Sequence, residues 1–209
     1  MIRILIADDH TLVREGLKQI LAAAPDIAIS AEAADGDATL ASVRAGEFDL
    51  VLLDVSMPGL SGIDLIKRLK IEKPKLRILV LSMHGEHQYA ARVLKAGASG
   101  YLTKDSAAAQ LVGAIRKIAA GGVHISEAAA AHLVGAVISG ADGPLHSRLS
   151  DREFEVFRLL VGGLGPTEIA EKLHLSVKTV STHKTRILEK MGMQSTAELV
   201  RYAVEMKLV

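Results

Sequence analysis

Leu50-Val-Leu-Leu-Asp54-Val-Ser-Met-Pro-Gly59 runs four apolar residues into an aspartate and breaks at a Pro-Gly pair. An uninterrupted apolar run this short reads as a strand buried on both faces, as in a parallel sheet. Asp54 then falls at the carboxyl end of that strand, the edge where open α/β sheets build their sites. Desolvating a charge there is costly unless a partner or a metal compensates it.

Three other segments supply partners. Ile2-Arg-Ile-Leu-Ile-Ala7 is strand-like and ends in Asp8 and Asp9; Arg77-Ile-Leu-Val-Leu81 ends in Ser82; Gly100-Tyr-Leu-Thr103 ends in Lys104. Neighbouring strands lie about 5 Å apart, so these side chains converge if the strands are adjacent. Three carboxylates alone repel one another and resist ionisation. A hard divalent cation such as Mg²⁺ removes the conflict, because it binds a few carboxylates together with water and phosphate oxygens. The plainer alternative makes each Asp a cap for the helix after its strand, Lys104 a solvated lysine and Ser82 a turn residue. The joint placement of all five favours the site.

Asp8-Asp9, Asp54 with Met57-Pro58, Ser82, and Tyr101 ahead of Lys104 together resemble the receiver domain of bacterial two-component response regulators, over residues 1–121. The resemblance implies a flavodoxin-like five-stranded parallel sheet. It implies that Asp54 accepts a phosphoryl group from a sensor histidine kinase. Mg²⁺ would be held by Asp8, Asp9, Asp54 and the backbone carbonyl of Ser56. Ser82 and Tyr101 would form the switch pair, and Lys104 would neutralise phosphoryl oxygens.

Composition agrees with packed, thiol-free domains. The chain has 209 residues, 49% hydrophobic, a formal charge of +1 and no cysteine, which excludes disulfides and thiolate metal sites. The N-terminus reaches Asp8 and Asp9 too early for a signal peptide's apolar stretch. The longest uncharged run, 128–141, is shorter than the roughly 20 residues of a membrane span. A cytoplasmic protein that does not enter a membrane is expected. Helices are expected over 11–23, 37–45, 62–72, 87–96 and 107–120, alternating with strands, which argues a doubly wound sheet. No Gly-x-Gly-x-x-Gly follows the first strand, which counts against a dinucleotide cofactor.

Beyond Gly121-Gly122 the composition changes. Residues 122–147 read as a linker with an Ala-rich helix over 126–138 and a breaker at Ser139-Gly-Ala-Asp-Gly-Pro144. From 148 to the end the period is helical. Ser150 and Glu153 form a capping box, Pro166 opens a second helix, and Ser176 caps a third running to about Met191. Ser195 and Glu198 form a further capping box at the last helix.

Two helices joined by a tight turn, the second of them basic, suggest helix-turn-helix recognition of double-stranded DNA. Overall charge says little: 15 Lys/Arg face 14 Asp/Glu in 1–120, and 10 face 10 in 121–209. The local signal is Lys178, Lys184, Arg186 and Lys190 against Glu189 alone. Such a helix is by itself more often a solvated face. Its surroundings decide. Leu149-Ser-Asp-Arg-Glu153, Glu168-Ile-Ala170 and Leu175-Ser176 with Thr179-Val180 and His183 resemble the LuxR-type helix-turn-helix of NarL/FixJ response regulators. The chain departs from that pattern at Gly165-Pro166-Thr167, where a phosphate-reaching lysine is missing, and at Ser181, where many relatives are basic.

At about 100° per residue, Val180, Ile187 and Met191 share the core side. Lys178, Thr182, Thr185 and Glu189 face outward, with Ser181 and Arg186 at the flanks. Lys184 falls near the core side and would snorkel. The expected DNA contacts are Lys178, Thr179, Ser181, Thr182, Thr185, Arg186 and Lys190. Leu199, Val200, Ala203 and Val204 give the last helix an apolar arc wide enough to suggest a dimer surface. The reading is a phosphorylation-controlled transcription regulator, not an enzyme beyond its own phosphorylation chemistry. Its partners would be a sensor kinase, promoter DNA, a second copy and RNA polymerase. Two alternatives stand: a regulator indifferent to phosphorylation, and a Mg²⁺-dependent phosphohydrolase turning over on Asp54.

Overall fold

The computed structural model describes the chain except residues 58, 59, 61, 83–86, 127–129, 131–143, 207 and 209, and the side chains of 87–89 and 107–108. Its contacts divide into two units, Met1–Val134 and Gly135–Val209.

Among the described residues of the first unit, five strands alternate with five helices. The strands are β1 (Ile2–Ala7), β2 (Ile27–Ala33), β3 (Leu50–Asp54), β4 (Arg77–Ser82) and β5 (Gly100–Thr103). The helices are α1 (Thr11–Ala22), α2 (Gly36–Ala45), α3 (Gly62–Glu72), α4 (His87–Lys95) and α5 (Lys104–Ala119). The strands are all parallel and ordered β2-β1-β3-β4-β5. Every residue of β3 is buried, as its unbroken apolar run requires. Ile4, Ile6, Leu50, Leu52, Leu79 and Leu81 pack under Leu17 and Leu21 of α1 and Leu111, Ile115 and Ile118 of α5. The strand order reverses between β1 and β3, so their carboxyl ends open a crevice at that seam.

Two local details frame the crevice. A Cβ on Gly36 would stand 1.7 Å from the Leu60 carbonyl oxygen, so only glycine lets α2 approach the segment after Asp54 this closely. Helix α5 begins at Lys104 and not at residue 107 as its apolar spacing suggested, because the Thr103 hydroxyl caps it by accepting from Ser106 N. Lys104 is therefore the first residue of a helix, fixed directly beyond β5. After α5 the chain returns to the outer edge of β5, where Tyr101 N donates to the His124 carbonyl at 2.8 Å. The helix expected over 126–138 lies outside the described residues, apart from Ser126 and Ala130.

The described residues of the second unit form a 3₁₀ turn at Leu145–Arg148, for which the sequence carries no signal, and four helices. These are α6 (Asp151–Val161), α7 (Pro166–Leu173), α8 (Val177–Met191) and α9 (Thr196–Glu205). The Ser150–Glu153 capping box forms. The second box is only half made: Ser195 Oγ accepts from Glu198 N, but Glu198 Oε2 takes the N–H of Gln194 instead of Ser195. Between α7 and α8, His174 adopts φ 50° and Leu175 N returns to the Ala170 carbonyl at 2.9 Å. That left-handed residue closes α7 and turns the chain into α8 within three residues. Phe154, Phe157, Ile169, Val180, Ile187 and Leu199 fill the core.

Candidate functional site

The crevice over the β1–β3 seam gathers the acidic residues. Ala7 pairs with Leu53, which sets Asp8 and Asp54 side by side at the strand ends. Asp8 is 1% and Asp54 2% exposed. Ligand-capable atoms of Asp8, Asp9, His10 and Asp54 all lie within 4.8 Å of one another. Lys104 Nζ stands 2.8 Å from Asp54 Oδ2 and 2.7 Å from Asp8 Oδ2, one ammonium serving two buried carboxylates.

None of the three aspartates caps a helix with its side chain. The N-cap of α1 is His10, which makes no side-chain capping bond. Asp8 Oδ1 instead accepts from His10 N at 2.8 Å, and Asp54 Oδ1 from Ser56 N at 3.0 Å. Both are tight local turns that aim the carboxylate back over the sheet edge. Burial pushes the Asp54 carboxyl up, and the charge of Asp8 adds to the rise; the Lys104 and Ser56 donors oppose it without cancelling it. Burial pulls the Lys104 ammonium down, but the hydrogen bond to Asp54 and the attraction of both carboxylates, Asp54 and Asp8, outweigh this and hold it above the ordinary lysine value.

A divalent cation fits this donor set. Asp8 Oδ2 and Asp9 Oδ1 are buried oxygens without an aligned hydrogen-bond partner, their contacts to Lys104 and His10 being ion pairs only. Three carboxylates against one ammonium leave net negative charge in a desolvated place, which an ion with hard oxygen preference relieves. Ser56 lies in the turn directly after β3. Ser82 ends β4 and Tyr101 is the second residue of β5, and both are buried. His10 joins the cluster without having been expected there; its only sequence signal is its place behind the Asp8-Asp9 pair.

In the second unit, α8 displays the expected face. Lys178, Ser181, Thr182, Thr185, Arg186 and Glu189 are exposed, Lys184 is half-buried, and Val180, Ile187 and Met191 are buried. Thr179 is half-buried and turns to the cap, its hydroxyl 2.8 Å from Ser176 Oγ. Lys190 has a structural task that its charge alone did not announce: Nζ donates to Glu153 Oε2 at 2.6 Å. Next to Glu153, Arg152 donates to the Leu173 carbonyl at the end of α7, at 3.0 Å. Adjacent residues of α6 thus grip both helices of the pair. His183 sits half-buried behind the face, where burial and then Arg152 hold its imidazole below the ordinary histidine range.

The exposed apolar arc on α9 is narrower than the sequence suggests. Leu199 and Ala203 are 0% exposed, packed inward within their own domain, and are unavailable to a second subunit. The spacing of apolar residues could not show how far α6 reaches around α9. Val200 is half-buried, and Val204 and Met206 are exposed. A partly buried hydrogen-bonded pair also went unforeseen: His146 Nδ1 and Tyr202 Oη lie 2.7 Å apart and tie the 3₁₀ turn to α9.

A parallel sheet with an acidic crevice at its switch point, carried in one chain with a helix-turn-helix, defines a receiver-type DNA-binding regulator. Residues 4–116 match the family described as response regulator receiver domain, and 147–203 the family of bacterial regulatory proteins, luxR family. The oxygen regulatory protein NreC of Staphylococcus epidermidis is 38% identical over 215 residues, covering 99% of each chain. RcsB of Salmonella enterica serovar Typhimurium, solved bound to promoter rprA with the phosphomimetic BeF3-, is 31% identical with a TM-score of 0.69, covering 97% of this chain and 98% of that one. A structure of two RcsB dimers on two parallel DNAs is 29% identical with a TM-score of 0.60, covering 97% and 98%. The chain belongs to the NarL/FixJ family of response regulators, whose members bind DNA and regulate transcription. No described helix is long and apolar enough to cross a membrane.

Proposed function

We propose that Asp54 is the phosphoryl acceptor of a Mg²⁺-dependent receiver, residues 1–121, which through the 122–147 linker controls dimerisation and promoter binding by residues 148–209. The observation that carries this reading is the buried cluster itself: Asp8, Asp9 and Asp54 converge with Lys104 at the switch point of the sheet.

Asp8, Asp9, Asp54 and the Ser56 carbonyl would hold Mg²⁺, which supplies charge neutralisation for a phosphoryl group's oxygens. An Asp54 carboxylate oxygen attacks phosphorus in line; the donor's bond to phosphorus breaks, and the leaving group departs with the electron pair. Ser56 N–H and Lys104 hold the carboxylate in place before attack. Lys104 is positioned to pair with the phosphoryl oxygens afterwards. Ser82 and Tyr101 would report the new group to the α4–β5 side. The kinase and a second copy of the chain are the partners this role requires, with RNA polymerase a further one where the regulator activates. The RcsB structures with a phosphomimetic, with promoter DNA and as dimers support the reading by likeness.

The test is labelling with a low-molecular-weight phosphodonor and Mg²⁺. Label should appear on Asp54 alone and be suppressed by EDTA and by Asp9→Ala. Label that survives both removes the site assignment.

A further inference from the structure

The outward side of α8 carries three hydroxyls, from Ser181, Thr182 and Thr185, beside Lys178, Arg186 and Glu189. Lys178, Thr182 and Thr185 lie on it with Ser181 at the flank, and all four are exposed. Each hydroxyl among them is turned back onto its own helix. Ser181 Oγ donates to the Val177 carbonyl at 2.9 Å, Thr182 Oγ1 to Lys178 at 3.0 Å, and Thr185 Oγ1 to Ser181 at 3.2 Å. The hydroxyl proton is spent within the helix and the side-chain rotamer is held by the same bond. What such a threonine presents outward is its γ-methyl group and an oxygen lone pair.

The major groove distinguishes these possibilities. A G·C pair offers two guanine acceptors, which need a donor such as Arg or Lys; an A·T pair offers the thymine 5-methyl group. Lys178 is the one strong donor near the middle of this face, and Arg186 lies at its flank. Glu189 is an acceptor and sits toward the carboxyl end of the helix, away from the residues that lead into the groove. Guanine opposite Thr182 or Thr185 would leave two acceptors, N7 and O6, desolvated and unpaired, whereas thymine leaves only O4 and adds a methyl group that can be buried.

We infer that Thr182 and Thr185 are specificity residues that select thymines by methyl-to-methyl contact, with Lys178 placed to fix one neighbouring guanine. The inference rests on the DNA-regulator reading and adds the class of sequence it takes: T-rich half-sites read through their methyl groups.

The test uses the full-length protein with phosphodonor and Mg²⁺. Binding sites are selected from a random duplex pool, and each thymine of the winning site is then replaced singly by uracil, which pairs alike but lacks the methyl. One or two positions per half-site should lose affinity roughly fourfold, the worth of one buried methyl group. Thr182→Val keeps the methyl and should keep the thymine-over-uracil preference at its position. Thr182→Ser keeps only the hydroxyl and should abolish that preference. Equal binding of thymine and uracil duplexes by the wild-type protein overturns the inference without touching the DNA-regulator reading. So does a Thr182→Ser, Thr185→Ser protein that discriminates as well as wild type. If no duplex is enriched at all, both readings fall together.

Discussion

Lys190, in the last turn of α8, donates to Glu153 Oε2 in the first turn of α6 at 2.6 Å, across 37 positions of sequence. Glu153 is buried, and its same oxygen accepts from Ser150 N at 2.7 Å. The third helix is therefore latched to the first through a charge that water cannot easily reach. Lys190→Ala strands that charge, and breaking a buried pair costs about 3–5 kcal/mol. Lys190 is partly exposed, so the expected loss for this domain is smaller, about 1–3 kcal/mol. Thermal or urea unfolding of the variant measures it. A variant of wild-type stability that only binds DNA less well would make Lys190 a phosphate contact and nothing more.

The same pair sets a pH dependence. Burial pushes the Glu153 carboxyl up, but the Lys190 ammonium and the Ser150 donors outweigh it and hold the group below the ordinary glutamate range. A folded value below the unfolded one means stability present above the unfolded value, about 4.3, and lost as pH falls through the folded value. Unfolding free energy should therefore fall between about pH 5 and pH 3 more steeply in wild type than in Glu153→Gln. Superimposable pH profiles for the two proteins would show that the pair contributes nothing to acid sensitivity.

Lys104 pairs with Asp8 and Asp54, two of the three carboxylates that would hold Mg²⁺ in the proposed site, so each cation should be visible through the other. A ligand that binds only the folded state stabilises it, by about 2.7 kcal/mol at a hundredfold excess over Kd. MgCl2 should raise the melting temperature of the wild type, and Asp9→Ala should abolish the rise. Lys104→Ala leaves Asp8 and Asp54 buried without their cation. That variant should be less stable in EDTA, yet gain more from Mg²⁺ than wild type does. A Lys104→Ala protein that loses its Mg²⁺ response would instead make Lys104 part of the metal's hold.

Most of the receiver is legible in its sequence because each strand there is an unbroken apolar run with a chemically distinct residue at its carboxyl end. Leu50 to Leu53 could only be buried, and Asp54 had nowhere to go but the edge. The helix start at Lys104 was missed because its cap, Thr103, looks like the last residue of a strand. The HTH core followed from periodicity at Val180, Ile187 and Met191. Within the DNA-binding domain, pairs made by distant residues did not follow. Nothing local connects His146 to Tyr202, or Glu153 to Lys190, so a basic residue on α8 read as a DNA contact before its partner was visible. Leu199 and Ala203 show the same limit: an apolar arc records what is hidden, not which partner hides it.

Val204 is 59% exposed on α9 and Leu199 is 0% exposed on the same helix, so the two separate assembly from folding. A charge at Leu199 must enter the core without a partner, which costs several kcal/mol. Leu199→Asp should therefore unfold the DNA-binding domain. A charge at Val204 meets solvent in the monomer, and Val204→Asp should melt as wild type does. If phosphorylation pairs two domains through Val200 and Val204, that variant loses the cooperative gain of binding two half-sites at once. Linked sites exceed single-site affinity by roughly 10²–10⁴, so operator affinity with phosphodonor present should fall by about 10² or more. Sedimentation and operator titration, each with and without phosphodonor, read the two steps separately. A folded Val204→Asp protein that binds operator DNA with wild-type stoichiometry and affinity would place the dimer contact elsewhere on the chain.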